Sequence, residues 1–123
     1  MKSERNTFNL LFVCGRNKWR SPTAVKVFGN IQAISVKSAG VSPKSKHQIS
    51  ENDILWADLI IVMELSYRAR ILGTFRHLNL PPIESLNILD EYEFMNIELI
   101  DELKQGMQYL SMKYKIPVDF GNS

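Results

Sequence analysis

A short segment near the N-terminus, residues 14–22, combines one cysteine with three basic residues and a Ser-Pro pair. It reads Cys-Gly-Arg-Asn-Lys-Trp-Arg-Ser-Pro, so that five residues separate Cys14 from Arg20. A cysteine thiolate is a strong nucleophile, and an arginine guanidinium can hold two phosphate oxygens at once. The residue types and their spacing therefore suit covalent phosphoryl transfer, with Cys14 as the nucleophile and Arg20 as the anion-binding group.

The context of this segment is a loop between a predicted strand and a predicted helix. Such a loop can curl its backbone N–H groups around a tetrahedral anion, and the N-terminus of the next helix adds a positive dipole end. Glycine and asparagine permit the tight and left-handed backbone that this needs, and a serine hydroxyl can donate to the sulfur. We expect phosphate to be bound by Gly15, Arg16, Asn17, Lys18, Trp19, Arg20 and Ser21.

The alternative for Cys14 is a structural one. A single cysteine at the end of a buried strand is most often a small hydrophobic residue. The basic residues that follow it directly, and the Ser-Pro start of a helix, favour the nucleophile instead.

Alternating strands and helices are predicted to position this loop. Apolar runs predict strands, and ligands of a parallel sheet bind beyond the carboxyl ends of its strands, near a switch in strand order. Cys14 follows the first of these runs directly, which places it at such an end. The alternation itself indicates an α/β fold with a parallel sheet. Strands are predicted at residues 10–13, 34–36, 59–63 and 85–89.

One helix is predicted after each strand. The Ser-Pro pair predicts that the first helix begins at Pro22, with Ser21 as its N-cap. Ser50 and Asp53 have the spacing of a capping box, which predicts a short second helix. Predicted helices cover residues 22–28, 51–56 and 64–72, the last stopped by Gly73, and a C-terminal helix through residues 99–110 is ended by Pro117.

Length and composition limit the class of protein. The chain has 123 residues, 45% of them hydrophobic and 23% charged, which predicts one globular domain over residues 1–123 and excludes disordered, coiled-coil and collagen-like chains. Its apolar runs are too short to span a bilayer, and the run near the N-terminus lacks the length of an export signal. We therefore expect a cytoplasmic protein that does not bind membranes.

The charge is divided unevenly along the chain. Residues 1–50 hold nine Lys or Arg and one acidic residue, whereas residues 51–123 hold six basic and twelve acidic residues. This split is typical either of an anion-binding half or of two solvated faces. Nucleic acid is not expected as a partner, because the basic residues are not interleaved with aromatic ones. No group of residues has metal-ligand spacing, so no cofactor is expected.

Taken together, these motifs resemble the low-molecular-weight protein tyrosine phosphatases. The resemblance rests on C-x5-R-S-P, on the Leu-Phe-Val run before Cys14, on Ser-Ala-Gly at residues 38–40 and on residues 58–64. It covers most of residues 8–114 and includes, at Trp19, a feature of a short bacterial subgroup of predicted tyrosine phosphatases. The resemblance implies a three-layer α/β/α sandwich with a four-stranded parallel sheet.

The resemblance also implies the roles of the residues. Cys14 would attack phosphorus and form a cysteinyl-phosphate, while Arg20 holds the phosphoryl oxygens. Asp90 corresponds to the family's general acid, and Tyr92 would wall the substrate pocket. The implied substrate is a phosphotyrosine-containing protein or a small aryl phosphate, and the implied mechanism needs no metal.

The chain departs from the family pattern at three positions. Arg16 stands where glycine is usual, Trp19 replaces a second cysteine, and Glu91 replaces the proline after the acid. Arg16 and the missing proline after Asp90 keep open a second hypothesis, a phosphate- or phosphopeptide-binding module with little turnover. Arsenate reduction, which uses the same fold elsewhere, is disfavoured because its disulfide relay needs several cysteines.

Overall fold

The computed structural model describes residues 7–120 and contains alternating strands and helices, as the hydrophobic pattern predicts. The strands are β1 (Phe8–Cys14), β2 (Ile34–Gly40), β3 (Leu59–Val62) and β4 (Ile83–Ser85). The helices are α1 (Arg20–Phe28), α2 (Glu51–Trp56), α3 (Leu65–Thr74) and α4 (Ile97–Lys113).

The strands form one parallel sheet in the order β2-β1-β3-β4. The chain leaves β1 toward β2 on one side and later returns to place β3 on the other side. The order therefore switches between β1 and β3, and the crevice beyond the carboxyl ends of these two strands is where ligands of such sheets bind. Cys14, the last residue of β1, lies at this switch point.

Helices cover both faces of the sheet. Because side chains alternate along a strand, Leu10 and Phe12 of β1 face a core shared with α1 and α4, and Leu11 and Val13 face a core shared with α2 and α3. On the first face, the ring of Phe12 stacks on that of Phe28 with centroids 5.9 Å apart. The expected three-layer sandwich with a four-stranded parallel sheet is confirmed.

The start of α1 differs from the prediction. Ser21 is not the N-cap; α1 begins at Arg20, and its N-cap, Trp19, makes no side-chain capping hydrogen bond. Ser21 is buried within the first turn, and its hydroxyl lies against Cys14 instead. A Ser-Pro pair is compatible with serine at the N-cap or within the first turn. The local pattern could not decide between them, because the partner of the hydroxyl lies at the end of β1, outside the helix.

Two strands also differ from their predicted bounds. β2 extends to Gly40, because its residues pair with β1 along the whole length of both strands. β4 lies at Ile83–Ser85 rather than at residues 85–89, since Asn87 has a φ of 56° and leaves the extended conformation. The chain beyond β4 nevertheless stays beside β3, because the Ile88 N–H donates to the carbonyl of Met63 at 2.9 Å.

Among the helices, α2 has the predicted capping box between Ser50 and Asp53. Gly73 does not stop α3, which continues to Thr74. α4 ends at Lys113, before the proline, and Lys115 then has a φ of 56°. No helix in the described part of the chain is long and apolar enough to cross a membrane.

Candidate active site

The thiol of Cys14 is buried at the end of β1 and contacts the first turn of α1. Its Sγ lies 3.0 Å from Oγ of Ser21, which also lies 3.1 Å from Oδ1 of Asn17. A hydroxyl has only one proton to donate. While Cys14 is a thiol, either group can donate in this contact, and when the S–H donates to Ser21, the hydroxyl can donate to Asn17. Once Cys14 is a thiolate, the proton of Ser21 can turn to the sulfur and stabilise the negative charge.

The loop between β1 and α1 has a tightly constrained backbone. Asn17 is buried and has a φ of 55°, a left-handed conformation that asparagine tolerates better than most residues. The end of β2 approaches it closely: a Cβ added at Gly40 would lie 2.8 Å from the backbone N of Asn17. Glycine at position 40 therefore allows β2 and the loop to pack together.

The segment after β2 supports the same loop from outside. The N–H groups of Val41 and Ser42 donate to the carbonyls of Cys14 and Gly15, at 3.0 and 2.9 Å, and the hydroxyl of Ser45 donates to the Gly15 carbonyl at 3.2 Å. By contrast, no described residue accepts a hydrogen bond from the backbone N–H groups of the loop itself. The backbone donors of the loop are therefore uncommitted among residues 7–120.

Arg20 is buried and is held by residues that follow β3 and β4. Its Nη1 donates to Oε2 of Glu64 at 2.6 Å and to the carbonyl of Ile88 at 2.8 Å, and its Nη2 donates to the hydroxyl of Tyr67 at 2.8 Å. The Tyr67 hydroxyl in turn donates to Glu64. A guanidinium has five N–H donors, so these bonds leave the Nε–H and one Nη2–H for an anion in the cavity.

Electrostatics keep this group charged. Burial would lower the pKa of Arg20, but hydrogen bonds to Glu64 and Tyr67 outweigh it, and the pKa is raised. Burial would likewise raise the pKa of Glu64, yet the bonds from Arg20 and Tyr67 lower it. The pKa of Tyr67 is raised, chiefly by burial. Arg20 and Glu64 therefore form a charged pair, joined by a neutral tyrosine.

A cavity of about 280 Å³ opens above the thiol. Asp90 stands at its edge, 62% exposed, with Oδ1 3.7 Å from Nε of Arg20. The structure thus brings together three predicted residues, namely the cysteine, the arginine and the carboxylate, from β1, α1 and the chain after β4. The cavity is lined by Cys14, Gly15, Arg16, Lys18, Trp19, Arg20 and Asp90.

The other predicted site residues lie outside this cavity. Ser21 is buried behind the thiol, and Asn17 lines a neighbouring cavity. Tyr92 packs against the core on the α1 and α4 side of the sheet, and a hydrogen bond to Glu102 raises its pKa to about 12. Within residues 7–120, no three His, Cys, Asp or Glu side chains group as metal ligands would.

Sequence reasoning missed Glu64 and Tyr67, the two residues that hold Arg20. Glu64 follows β3 after a single residue, at the carboxyl end of the strand next to β1. A polar residue at that position is the signal that could have been noticed, because the carboxyl ends of neighbouring strands meet at one edge of a parallel sheet. Tyr67, on the first turn of α3, carries no such signal.

Comparison with known proteins places the fold. No protein-family model matches the sequence, and no curated protein matches it either. Among solved structures, YwlE arginine phosphatase from Geobacillus stearothermophilus is 24% identical, with a TM-score of 0.66 over 88% of this chain and 93% of that one. SP-PTP, a low-molecular-weight protein tyrosine phosphatase from Streptococcus pyogenes, is 17% identical, with a TM-score of 0.68 over 87% and 93%.

A third similar structure, DARP, the drosophila arginine phosphatase, is 20% identical, with a TM-score of 0.67 over 86% of this chain and 97% of that one. These likenesses extend over nearly the whole of each neighbour. The protein therefore has the fold of the low-molecular-weight protein tyrosine phosphatases, as the resemblance of its motifs implies.

Proposed function

We propose that this protein is a cysteine-dependent phosphatase of the cytoplasm that hydrolyses phosphotyrosine or a similar aryl phosphate, without a cofactor. The observation that carries the proposal is the thiol of Cys14, 3.0 Å from the Ser21 hydroxyl, in one cavity with Arg20 and Asp90. The three structural neighbours named above are called phosphatases, which supports the reaction class.

In the first step, the phosphoryl group of the substrate is held in the loop by backbone N–H groups and by the uncommitted edge of Arg20. The Cys14 thiolate attacks phosphorus, an S–P bond forms, and the bond from phosphorus to the ester oxygen breaks. Asp90 donates its proton to that leaving oxygen. The products are a cysteinyl-phosphate and a neutral alcohol or phenol.

In the second step, water attacks the phosphorus of the cysteinyl-phosphate. The Asp90 carboxylate takes a proton from this water, the S–P bond breaks, and inorganic phosphate leaves. The departing thiolate is stabilised by the Ser21 hydroxyl and by the N-terminus of α1, whose positive dipole end faces the loop. Cys14 and Asp90 return to their starting states, so the cycle balances.

The leaving group is expected to lie against Trp19, which lines the cavity and is partly exposed. The role of pocket wall expected for Tyr92 is not carried over, because Tyr92 packs against the core and does not line the cavity. Two of the similar structures are called arginine phosphatases, so a phosphoarginine peptide belongs in the substrate panel beside phosphotyrosine and p-nitrophenyl phosphate.

The second candidate is a phosphate- or phosphopeptide-binding module with little turnover. It is favoured by Arg16, a bulky residue in the phosphate loop, and by Glu91, which follows the acid in place of proline. Such a module would bind phosphate through the same loop and Arg20, but it would release no product.

Release of p-nitrophenol from its phosphate, in the presence of a metal chelator, tests the assignment. We expect Cys14→Ser to lose about a thousandfold or more of kcat/KM, and Asp90→Asn to lose about 10²- to 10⁴-fold. Glu91→Gln is the matched control, because Glu91 is an exposed neighbouring carboxylate that does not line the cavity.

Each outcome decides between the candidates. Full hydrolysis by Cys14→Ser would show that the nucleophile is wrongly assigned. A loss of kcat/KM in Glu91→Gln but not in Asp90→Asn would show that Glu91 is the general acid. A wild-type protein that binds phosphate in calorimetry but releases no p-nitrophenol would establish the binding module.

A further inference from the structure

A second, larger cavity of about 760 Å³ adjoins the first. Arg16, Lys18 and Trp19 line both cavities, so these side chains form a ridge between them. The far wall of the second cavity includes Lys44 and Lys46, from the segment after β2. The second cavity is therefore next to the one in which the phosphoryl group is proposed to bind.

The charged residues that line the second cavity, among residues 7–120, are all positive. Four cationic side chains line it and no acidic residue of this range does, whereas Asp90 lines the first cavity. Within the described part of the chain, none of the four forms an ion pair with a carboxylate. The four cations all come from the basic N-terminal half of the sequence, and they are Arg16, Lys18, Lys44 and Lys46.

The backbone that carries Lys44 and Lys46 is held by a contact that also supports the loop after β1. Lys44 and Lys46 flank Ser45, whose hydroxyl donates to the carbonyl of Gly15 at 3.2 Å. Lys18 lies over the ring of Trp19, with Nζ 4.5 Å from the ring centroid. The backbone of residues 44–46 is thus held beside the loop, and the exposed side chains of Lys44 and Lys46 start from there.

We propose that the second cavity binds an anionic side chain next to the phosphorylated residue of a peptide or protein substrate. This inference rests on the proposed phosphatase function and narrows its substrate class to acidic phosphopeptides. Charge complementarity requires an anion. The exposed ring of Phe94 and the ring of Trp19 also line this cavity and give it apolar walls for the methylene groups of a side chain. The proposal also gives Arg16 a role at the position where it departs from the family pattern.

The test uses phosphotyrosine peptides that differ only at the residue adjacent to phosphotyrosine, on either side: glutamate, phosphoserine or glutamine. We expect the wild type to have a kcat/KM about fivefold higher for an anionic neighbour than for glutamine, a preference that shrinks as salt is added. The glutamate and phosphoserine arms distinguish a carboxylate from a second phosphate as the source of the anion.

The variant that removes the far wall is Lys44→Gln combined with Lys46→Gln. In this variant, the ratio of kcat/KM between the anionic and the glutamine peptides should fall to about one. Each peptide value is divided by the turnover of p-nitrophenyl phosphate by the same protein. The matched control is Lys26→Gln, an exposed lysine of α1 that lines neither cavity and should keep the full preference.

Failure of this inference is distinct from failure of the proposed function. Equal kcat/KM for all peptides in a wild type that hydrolyses p-nitrophenyl phosphate would overturn the inference alone, as would a preference that survives in the double variant. If nothing is hydrolysed, fluorescence anisotropy of the same labelled peptides on Cys14→Ser gives the decision. Tighter binding of the anionic peptides, lost in the double variant, supports the inference, and equal affinities overturn it.

Discussion

Arg20 and Glu64 form a hydrogen-bonded ion pair, with Nη1 2.6 Å from Oε2, across the switch point of the sheet. Arg20 begins the helix after β1, whereas Glu64 follows β3, so the pair joins the two strands whose ends flank the candidate site. Tyr67 bonds to both partners. The guanidinium is thereby oriented without an anion, and in the proposed reaction this would lower the cost of organising the site around a transition state.

Glu64 is therefore predicted to be a positioning residue. We expect Glu64→Gln to lower kcat/KM for p-nitrophenyl phosphate by about ten- to hundredfold, because an unpaired Arg20 can leave its orientation. Glu64→Asp should recover part of the loss, and the exposed Glu93→Gln should change nothing. Full activity of Glu64→Gln in steady-state kinetics would show that the pair does not position Arg20.

The same pair should make stability depend on pH. The pKa of Glu64 is lowered from its ordinary value of 4.5. Ionised Glu64 therefore contributes fully to the stability of the folded protein above pH 4.5, and this contribution is lost as the pH falls through the lowered pKa. Urea unfolding should therefore show a smaller difference in the free energy of unfolding between the wild type and Glu64→Gln at about pH 3 than at about pH 7. A difference in the free energy of unfolding that stays constant or grows in acid would contradict a stabilising ion pair between Arg20 and Glu64.

Ser21 is predicted to act on the sulfur rather than on the fold of α1. Ser21→Ala removes the hydroxyl that lies 3.0 Å from Sγ of Cys14, and we expect kcat to fall by about ten- to hundredfold, as loss of a hydrogen bond to a charged group implies. Steady-state kinetics with p-nitrophenyl phosphate measure this effect, and an unchanged kcat would contradict the role of Ser21. Ser42→Ala, outside this contact, is the control.

Gly40 is predicted to be essential for the shape of the phosphate loop. In Gly40→Ala the new Cβ would lie 2.0 Å from Oγ of Ser45, which can rotate, and 2.8 Å from the backbone N of Asn17, which cannot. We expect a loss of about 1–3 kcal/mol of stability and a fall in kcat/KM of about tenfold or more.

The control for that substitution is Gly73→Ala in α3, where an added Cβ meets nothing within 4 Å. Alanine is the better helix former, so this variant should gain up to about 1 kcal/mol and keep its activity. Thermal unfolding and p-nitrophenyl phosphate kinetics measure both effects. If Gly40→Ala and Gly73→Ala had equal stability and equal activity, the backbone of the loop would not limit the side chain at position 40.

The sequence by itself determined the features that depend on neighbouring residues. A continuous apolar run predicts β1, because a strand covered on both faces buries every side chain. The capping box of α2 is a pattern of two residues, Ser50 and Asp53. The segment from Cys14 to Ser21 indicates an anion-binding loop with a nucleophile, because the loop, the helix start and the thiol follow one another directly along the chain.

Only the tertiary structure decided which distant groups meet at this loop. Glu64 is 44 residues from Arg20 in the sequence, and it reaches the guanidinium because β3 pairs with β1 rather than with β2. Lys44 and Lys46 join Arg16 at the second cavity in the same way, through the packing of the segment after β2 on the loop. Strand order and side-chain packing come from the free energy of the whole chain, so no local pattern encodes these contacts.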